Sequence, residues 1–562
     1  MKLPHTFYVL IGLSFFLSIL PAQQAGREWE ETGSDKEIGP ILESFPDGAI
    51  HRFEMLPDRD GTQLATTIFL PPGEGPWPVV FCKGFYGRFT MKGYAKSAGK
   101  DGQVVFVMQD ARGTGDSEGK GTYDSESFAI HQQDLDDSLK WVSKQAWCNG
   151  RIGVRGGSGN GVAAFQAFLS GNPALKVADG GNSSGFSSYW MEQNRVRRGL
   201  YDWMKNNGLD IQKNELPTRV PAMYPEVLNR LSEQKPNPAS TMIVNAAWHD
   251  IVSESALDLF AAQSENAQIY VTVSPGWHGG QTQIQKQAWP NLWNRGISVP
   301  KFSDLLKKDL KPEPSFIRYY LMGDPTDPDS LGNEWKITRE WPVPYSPTSF
   351  YLHGDGSLQP SPSQKEGFLS YVYDPADPAP AYGGNGSYRI QMGPLDQRPL
   401  SDRKDVLRFV SEPLSQPLTL VGKFSADLYM STDAPDTMFV VKVIDIHPDG
   451  TETWLRESAA MGRYAEGLDG KTSLKPDGVY HLKLDLWSTA KVINAGHRLG
   501  VLITSSAVLD KEGPRPQPVF EVHPNVWTTS RKNPEIKAAT QRIWLSPEYP
   551  SSITLPVVIG GK

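Results

Sequence analysis

Short apolar runs rich in β-branched and aromatic residues alternate with amphipathic stretches from about Phe53 to Leu310. Val79–Cys82, Val104–Met108, Ile152–Val154, Met242–Val244 and Ile269–Val273 are short β-branched or aromatic runs of the kind buried on both faces, so a largely parallel sheet is predicted. Between the second and third of these runs, Leu135, Leu139, Val142 and Ala146 recur at helical spacing, which suits a crossover helix lying on the sheet. The stretch from Ser187 to Glu233 carries Trp190, Met191, Trp203 and Met204 among polar residues and reads as a small, mostly helical cap inserted at about 187–238. A charged, Pro-containing linker covers Lys307 to Pro314. Beyond it the period changes to two: Tyr480, Leu482, Leu484 and Leu486 share one face of a strand, and Phe439–Ile446 forms another that runs into the turn His447-Pro448-Asp449-Gly450. The pattern therefore predicts an α/β domain over 26–311 and an all-β sandwich over 315–562.

Composition narrows the functional classes. A chain of 562 residues is too long for one ordinary domain, and 39% hydrophobic with 21% charged residues is the make-up of a folded globular protein. The net charge of −7, with no basic run, excludes a nucleic-acid backbone as the expected partner. Cys82 and Cys148 are the only cysteines; with no CxxC or Cys/His ligand spacing, no metal or other cofactor is expected, and the two read as free buried thiols ahead of the alternative, one disulfide between them. Met1 to Ala25 has the layout of a secretory signal: Lys2, an apolar run from Thr6 to Leu20, then Pro21-Ala22-Gln23-Gln24-Ala25. The run is shorter than the roughly 20 residues needed to cross a bilayer, so cleavage and a periplasmic or secreted protein without a stable membrane span are expected.

The chemistry concentrates in Arg151 to Phe165, where Gly156-Gly157-Ser158-Gly159-Asn160-Gly161 joins a strand to an apolar helix. A serine between glycines at a strand-to-helix turn is the arrangement of a nucleophile elbow, and the following helix N-terminus aims free N–H groups at a developing oxyanion. Asn160 stands where a strict G-x-S-x-G has its second glycine. In an α/β-hydrolase the order along the chain is Ser, acid, His, each after a strand. Asp250 follows the Met242–Val244 run and His278 follows Ile269–Val273, which makes Ser158, Asp250 and His278 the candidate triad; His249 is the neighbouring rival to His278. Asp110 and Arg112 read as a structural ion pair beneath the site, and Trp248 and Trp277 as pocket walls or packing.

Several segments together resemble the CocE/NonD-type serine hydrolases, the family that includes cocaine esterases, α-amino-acid ester hydrolases, glutaryl acylases and X-Pro dipeptidyl-peptidases. They are Arg59-Asp60-Gly61-Thr62, Gln109 to Gly113, Ser117-Glu118-Gly119, Gln145 to Gly150, Tyr373 to Pro378, Asp396 to Pro399 and Asn494 to Arg498, and they span nearly the whole chain after the signal. The resemblance implies an α/β-hydrolase domain followed by an X-Pro dipeptidyl-peptidase C-terminal-like jelly-roll β-sandwich, and a triad of Ser158 as nucleophile, His278 as base and Asp250 as orienting acid. It also implies an oxyanion hole made by the Tyr86 hydroxyl and the backbone N–H of Gly159, although relatives usually carry Tyr where Gly159 stands. The implied activity is hydrolysis of small-molecule esters or amides. Amino-ester hydrolases of the family place acidic residues two and three positions after the catalytic Asp; Val252 and Ser253 occupy those positions, so an acylase or esterase is expected ahead of an X-Pro dipeptidyl-peptidase. A secreted glycan-binding protein with an inert hydrolase half is the non-enzymatic alternative.

Overall fold

The computed structural model describes residues 34–120, 125–183, 231–250, 252–278, 289–292, 296–311, 313–327, 329–384, 393–466, 474–476, 478–509, 517–520 and 538–559. The expected signal segment and nearly all of the expected cap lie outside them. Ten strands make the first sheet: β1 (Ile50–Pro57), β2 (Gln63–Leu70), β3 (Trp77–Gly84), β4 (Val105–Asp110), β5 (Cys148–Gly157), β6 (Leu175–Gly181), β7 (Thr241–Ala247), β8 (Gln268–Ser274), β9 (Phe316–Leu321) and β10 (Glu334–Thr338). Their spatial order is β1-β2-β4-β3-β5-β6-β7-β8-β9-β10. Neighbours from β4 through β3 and β5 to β9 run parallel, while β1, β2 and β10 add antiparallel edges.

The β-branched and aromatic runs lie where two-sided burial requires them. Val105, Phe106, Val107 and Met108 of β4 are fully buried, odd positions against one helical layer and even positions against the other. Helices α1 (Ser34–Leu42) and α2 (Lys92–Asp101) cover one face; α3 (Ser125–Ser143) and α4 (Val162–Leu169) cover the other. Leu135, Leu139 and Val142 of α3 are fully buried as their spacing predicts, whereas Ala146 falls beyond the helix end. Two further helices, α5 (Ser253–Gln263) and α6 (Phe302–Lys307), follow β7 and β8.

The first sheet extends past the expected boundary at 311. β9 and β10 follow the charged linker yet join the sheet, β9 beside β8 and β10 beside β9. A strand such as Phe316–Leu321, apolar or aromatic except for Arg318 and buried at every position, reads the same whichever sheet it completes, so local pattern cannot assign it. The sandwich proper starts at β11 (Tyr345–Leu352), followed by β12 (Leu358–Gln359), β13 (Phe368–Tyr373), β14 (Leu407–Val410), β15 (Leu418–Thr432), β16 (Met438–Ile446), β17 (Glu452–Met461), β18 (Tyr480–Ile493), β19 (Arg498–Thr504), β20 (Ala507–Leu509), β21 (Gln517–Phe520), β22 (Ala539–Trp544) and β23 (Ser552–Val558). A seven-stranded sheet built on β15 faces the four-stranded sheet β14-β19-β16-β17, with Phe424, Leu428, Leu482, Phe439, Val441 and Val501 among the residues between them.

β18 joins the two halves. Leu482, Leu484 and Leu486 point into the sandwich core while Lys483 is exposed, which is the period-two reading. At Trp487 the backbone turns to φ 69° and the register against β15 shifts; beyond it Ala490 and Val492 pack into the first core. Met322 N–H donates to the Ala490 carbonyl at 3.0 Å and Val492 N–H to the Met322 carbonyl at 2.7 Å, so the lobes are tied by main chain as well as by apolar contact. No helix among the described residues is long and apolar enough to cross a membrane.

Candidate active site

β5 ends at Gly157, and Ser158 follows it with a φ of 55°, in the left-handed region that a side chain rarely adopts. A 3-10 turn over Ser158–Gly161 then leads into α4, every residue of which is buried. The turn is sharp enough that a Cβ on Gly156 would lie 2.3 Å from the Asn160 carbonyl oxygen, and one on Gly161 would lie 2.6 Å from Ser183 Cβ. Glycine is therefore required two positions before and three after the serine. Position 160 meets no such demand: Asn160 Oδ1 accepts the Phe85 N–H at 2.7 Å and Nδ2 donates to Thr90 Oγ1 at 3.2 Å. The departure from G-x-S-x-G thus ties the elbow to the loop after β3, which carries the half-buried Tyr86. Gly159, beside the serine, is buried.

The carboxyl ends of β7 and β8 supply the partners. Asp250 is fully buried, and His278 Nδ1 lies 3.0 and 3.1 Å from its two oxygens. His278 Nε2 lies 2.7 Å from Ser158 Oγ, although 120 residues separate them in the chain. The structure therefore brings Ser158, His278 and Asp250 into one hydrogen-bonded line. Burial by itself lowers the His278 pKa, but the Asp250 charge and hydrogen bond outweigh it, and the net shift is upward from 6.5. The rival His249 is excluded by its surroundings. Its Nδ1 bonds the Pro275 carbonyl at 3.0 Å, its ring packs beside Trp454, and burial, then the Arg456 charge, push its pKa down to about 3.

Asn182, which no motif marks, completes the acid's environment. It sits at φ 45° just after β6, and its Nδ2 donates to Asp250 Oδ2 at 2.7 Å and to the Trp277 carbonyl at 3.2 Å, so one amide holds both the carboxylate and the residue before His278. Its only trace in the sequence is an asparagine after a glycine pair at a strand end, a common setting for a left-handed residue. The Val252 N–H donates to Asp250 Oδ1 at 3.2 Å.

Asp110 and Arg112 do not pair with each other. Asp110 Oδ1 accepts the Arg88 backbone N–H and Oδ2 its guanidinium, both at 2.5 Å, which anchors the loop two residues after Tyr86. Arg112 instead bonds Asp58, Asp60 and Asp134. Asp110 closes β4 while Arg112 lies two residues beyond it, where the chain has left the strand, and so the two meet different neighbours. Trp248 is core packing, fully buried with Nε1 donating to the Tyr320 carbonyl at 2.8 Å. Cys82 and Cys148 are free and buried, and burial pushes the Cys82 thiol up to about 12, leaving it unreactive.

Comparison with known proteins places this geometry in context. Residues 60–222 match the model of the X-Pro dipeptidyl-peptidase (S15 family), and residues 311–554 match that of the X-Pro dipeptidyl-peptidase C-terminal non-catalytic domain. Cocaine esterase of Rhodococcus sp. (strain MB1 Bresler) is 27% identical over 585 residues, covering 90% of this chain and 98% of that protein. Among solved structures, an aminopeptidase from the marine sediment archaeon Thaumarchaeota archaeon superposes with a TM-score of 0.68 at 22% identity, covering 92% of this chain and 97% of that one. A CocE/NonD family hydrolase from Staphylococcus aureus gives 0.66 at 16% identity, covering 92% and 98%. These structural likenesses establish an α/β-hydrolase lobe followed by an all-β lobe.

Proposed function

Because this chain belongs to the serine hydrolase family that contains cocaine esterase and the X-Pro dipeptidyl-peptidases, we propose that it is a secreted acyl esterase or acylase acting through Ser158, His278 and Asp250. The observation that carries the reading is the 2.7 Å approach of His278 Nε2 to the hydroxyl of a serine held at φ 55°. His278 takes the Ser158 proton as Oγ attacks the acyl carbonyl, and Asp250 holds the tautomer that leaves Nε2 bare and stabilises the imidazolium. The Tyr86 hydroxyl and the Gly159 N–H receive the negative oxygen. The imidazolium then protonates the leaving alcohol or amine, and water releases the acyl group by the same route.

The surroundings of Asp250 support a neutral or carboxylated acyl group. Val252 packs against Trp487, and Ser253 Oγ donates to the Asp250 carbonyl at 3.1 Å. The next acidic residue, Glu254, is buried and held by the Ser488 N–H at 2.5 Å and by Lys423 at 3.3 Å. None of these offers a free carboxylate to a substrate ammonium. Export rests on the Met1–Ala25 layout, and recovery of the protein in the cytoplasmic fraction of its source would overturn it.

A fluorophosphonate probe tests the activated serine: rapid labelling at Ser158 is expected, and an unlabelled, folded protein would leave the inert binding protein as the reading. A panel of aryl esters, acyl amides and Ala-Pro-nitroanilide compared by kcat/KM tests the substrate class. Faster cleavage of Ala-Pro-nitroanilide than of the esters would replace the esterase with a dipeptidyl-peptidase.

A further inference from the structure

At the seam between the lobes, far from Ser158 in the chain, Asp324 (just after β9), His447 (just after β16) and His497 (just before β19) bring one ligand atom each to within 4.8 Å of one another. His447 Nδ1 lies 3.1 Å from Asp324 Oδ2, and the two imidazole rings are 4.5 Å apart. We propose that this cluster is a structural site for a first-row divalent cation of the zinc type, stapling the first lobe to the sandwich.

The surroundings of the three groups have the form that metal sites need. A ligating histidine usually spends its second nitrogen on a carboxylate or other fixed partner, which sets the tautomer and turns the ring. His497 Nδ1 is 2.7 Å from Asp445 Oδ1, which leaves Nε2 as its nitrogen for a metal. His447 Nε2 is 2.9 Å from Thr453 Oγ1, which leaves Nδ1, the nitrogen that already faces Asp324. Asp324 is preset too: its Oδ1 accepts the Thr326 N–H at 2.8 Å and hydroxyl at 2.7 Å, so Oδ2 is the oxygen turned to the ring.

An independent observation points the same way. Asp445 is 1% exposed, yet its Oδ2 accepts no hydrogen bond and lies 3.8 Å from His447 Nε2. Buried carboxylate oxygens are ordinarily satisfied, so a second anionic oxygen beside two imidazoles signals a missing positive group. Lys491 supplies part of it, with Nζ 3.6 Å from that oxygen and donating to the Gly323 carbonyl at 2.9 Å. That ammonium offsets only part of the Asp445 charge, and Asp324 is the carboxylate that faces the ring nitrogen.

Two imidazole nitrogens and one carboxylate oxygen are borderline donors that suit zinc, with water in the fourth position. In a tetrahedral site with bond lengths of about 2.1 Å the ligand atoms sit about 3.4 Å apart, so a set now within 4.8 Å must close by up to about 1.4 Å, a shift for the side chains of the cluster to make on binding. Spacing rules miss this site because its members come from three distant segments and none is a cysteine.

The test is titration of the chelator-stripped, full-length protein with ZnCl2 by calorimetry and with CoCl2 by visible absorption. One equivalent bound at about 1 µM or tighter, intense cobalt bands between 500 and 700 nm of the order seen for tetrahedral sites, and a higher Tm are expected. His447→Ala and His497→Ala should each weaken zinc binding at least about 100-fold, and Asp445→Asn about 10- to 100-fold. If the wild-type protein binds less than about 0.1 equivalent at 100 Kd of the expected affinity, the proposal is overturned without recourse to any variant. Wild-type binding that survives both histidine substitutions overturns it equally.

Discussion

Of the groups of buried charge in the first lobe, two invite comparison, and only one of them ends in a reactive atom. At the carboxyl edge of the sheet, Asp250, His278 and Ser158 form a line in which a proton can pass from hydroxyl to imidazole. Beneath β3 and β4, Arg112 bonds Asp58, Asp60 and Asp134, Arg59 bonds Asp137, and the fully buried Lys83 lies 3.9 Å from Asp134. Burial pushes Lys83 down to about 8 against the pull of Asp134. This second group has more charge, and its centre at Lys83, Asp58 and Asp134 is as buried as the triad while Arg59 and Asp60 reach solvent, but its guanidinium protons are committed to opposing carboxylates, and an arginine does not give them up. Perturbed ionisation alone does not mark the site; the line also needs a serine turned out at a strand end.

The comparison can be broken at several points. Ser158→Ala should lower kcat by about a millionfold with the Tm unchanged, and substantial residual turnover of an aryl ester would move the reaction elsewhere. In the unmodified enzyme His278 must be neutral to take the serine proton. Its raised pKa therefore places the acid limb of kcat/KM above 6.5, with about tenfold loss for each pH unit below the limb; a midpoint under 6.5 would contradict the Asp250 pairing. Tyr86→Phe should reduce kcat about 100-fold, the scale of one oxyanion donor, and an unchanged kcat would remove Tyr86 from the site. Asn182→Ala removes a neutral donor from a buried carboxylate and should cost about tenfold in kcat with KM little changed. At the other end of the scale, Arg112→Ala strands Asp58 and Asp134 in the interior; it should destabilise the fold by about 3 to 5 kcal/mol in urea unfolding while the folded fraction keeps its kcat. A large fall in kcat there would make the second group part of the machinery.

Individual residues show how far the chain can be read unaided. The elbow is legible because glycine at 156 and 161 answers a steric demand within six residues. The apolar strands and the period-two face of β18 are legible because burial on a sheet repeats along the chain. Asn182 is not, since its use depends on the ends of β7 and β8 arriving beside it, and the pairing of Asp110 with Arg88 crosses between two strands in the same way.

From the sequence alone come the alternation of strand and helix, the change to an all-β lobe, the turn at Ser158, and an acid and a histidine at successive strand ends. All of these are short-range consequences of backbone period and turn chemistry. Folding decided which of the two candidate histidines faces the serine, sending His278 to Ser158 and burying His249 against Trp454. It also placed β9 and β10 in the first sheet and drew Asp324, His447 and His497 together at the seam. Such outcomes depend on contacts between residues far apart in the chain, and those contacts leave no periodic mark on the segments that make them.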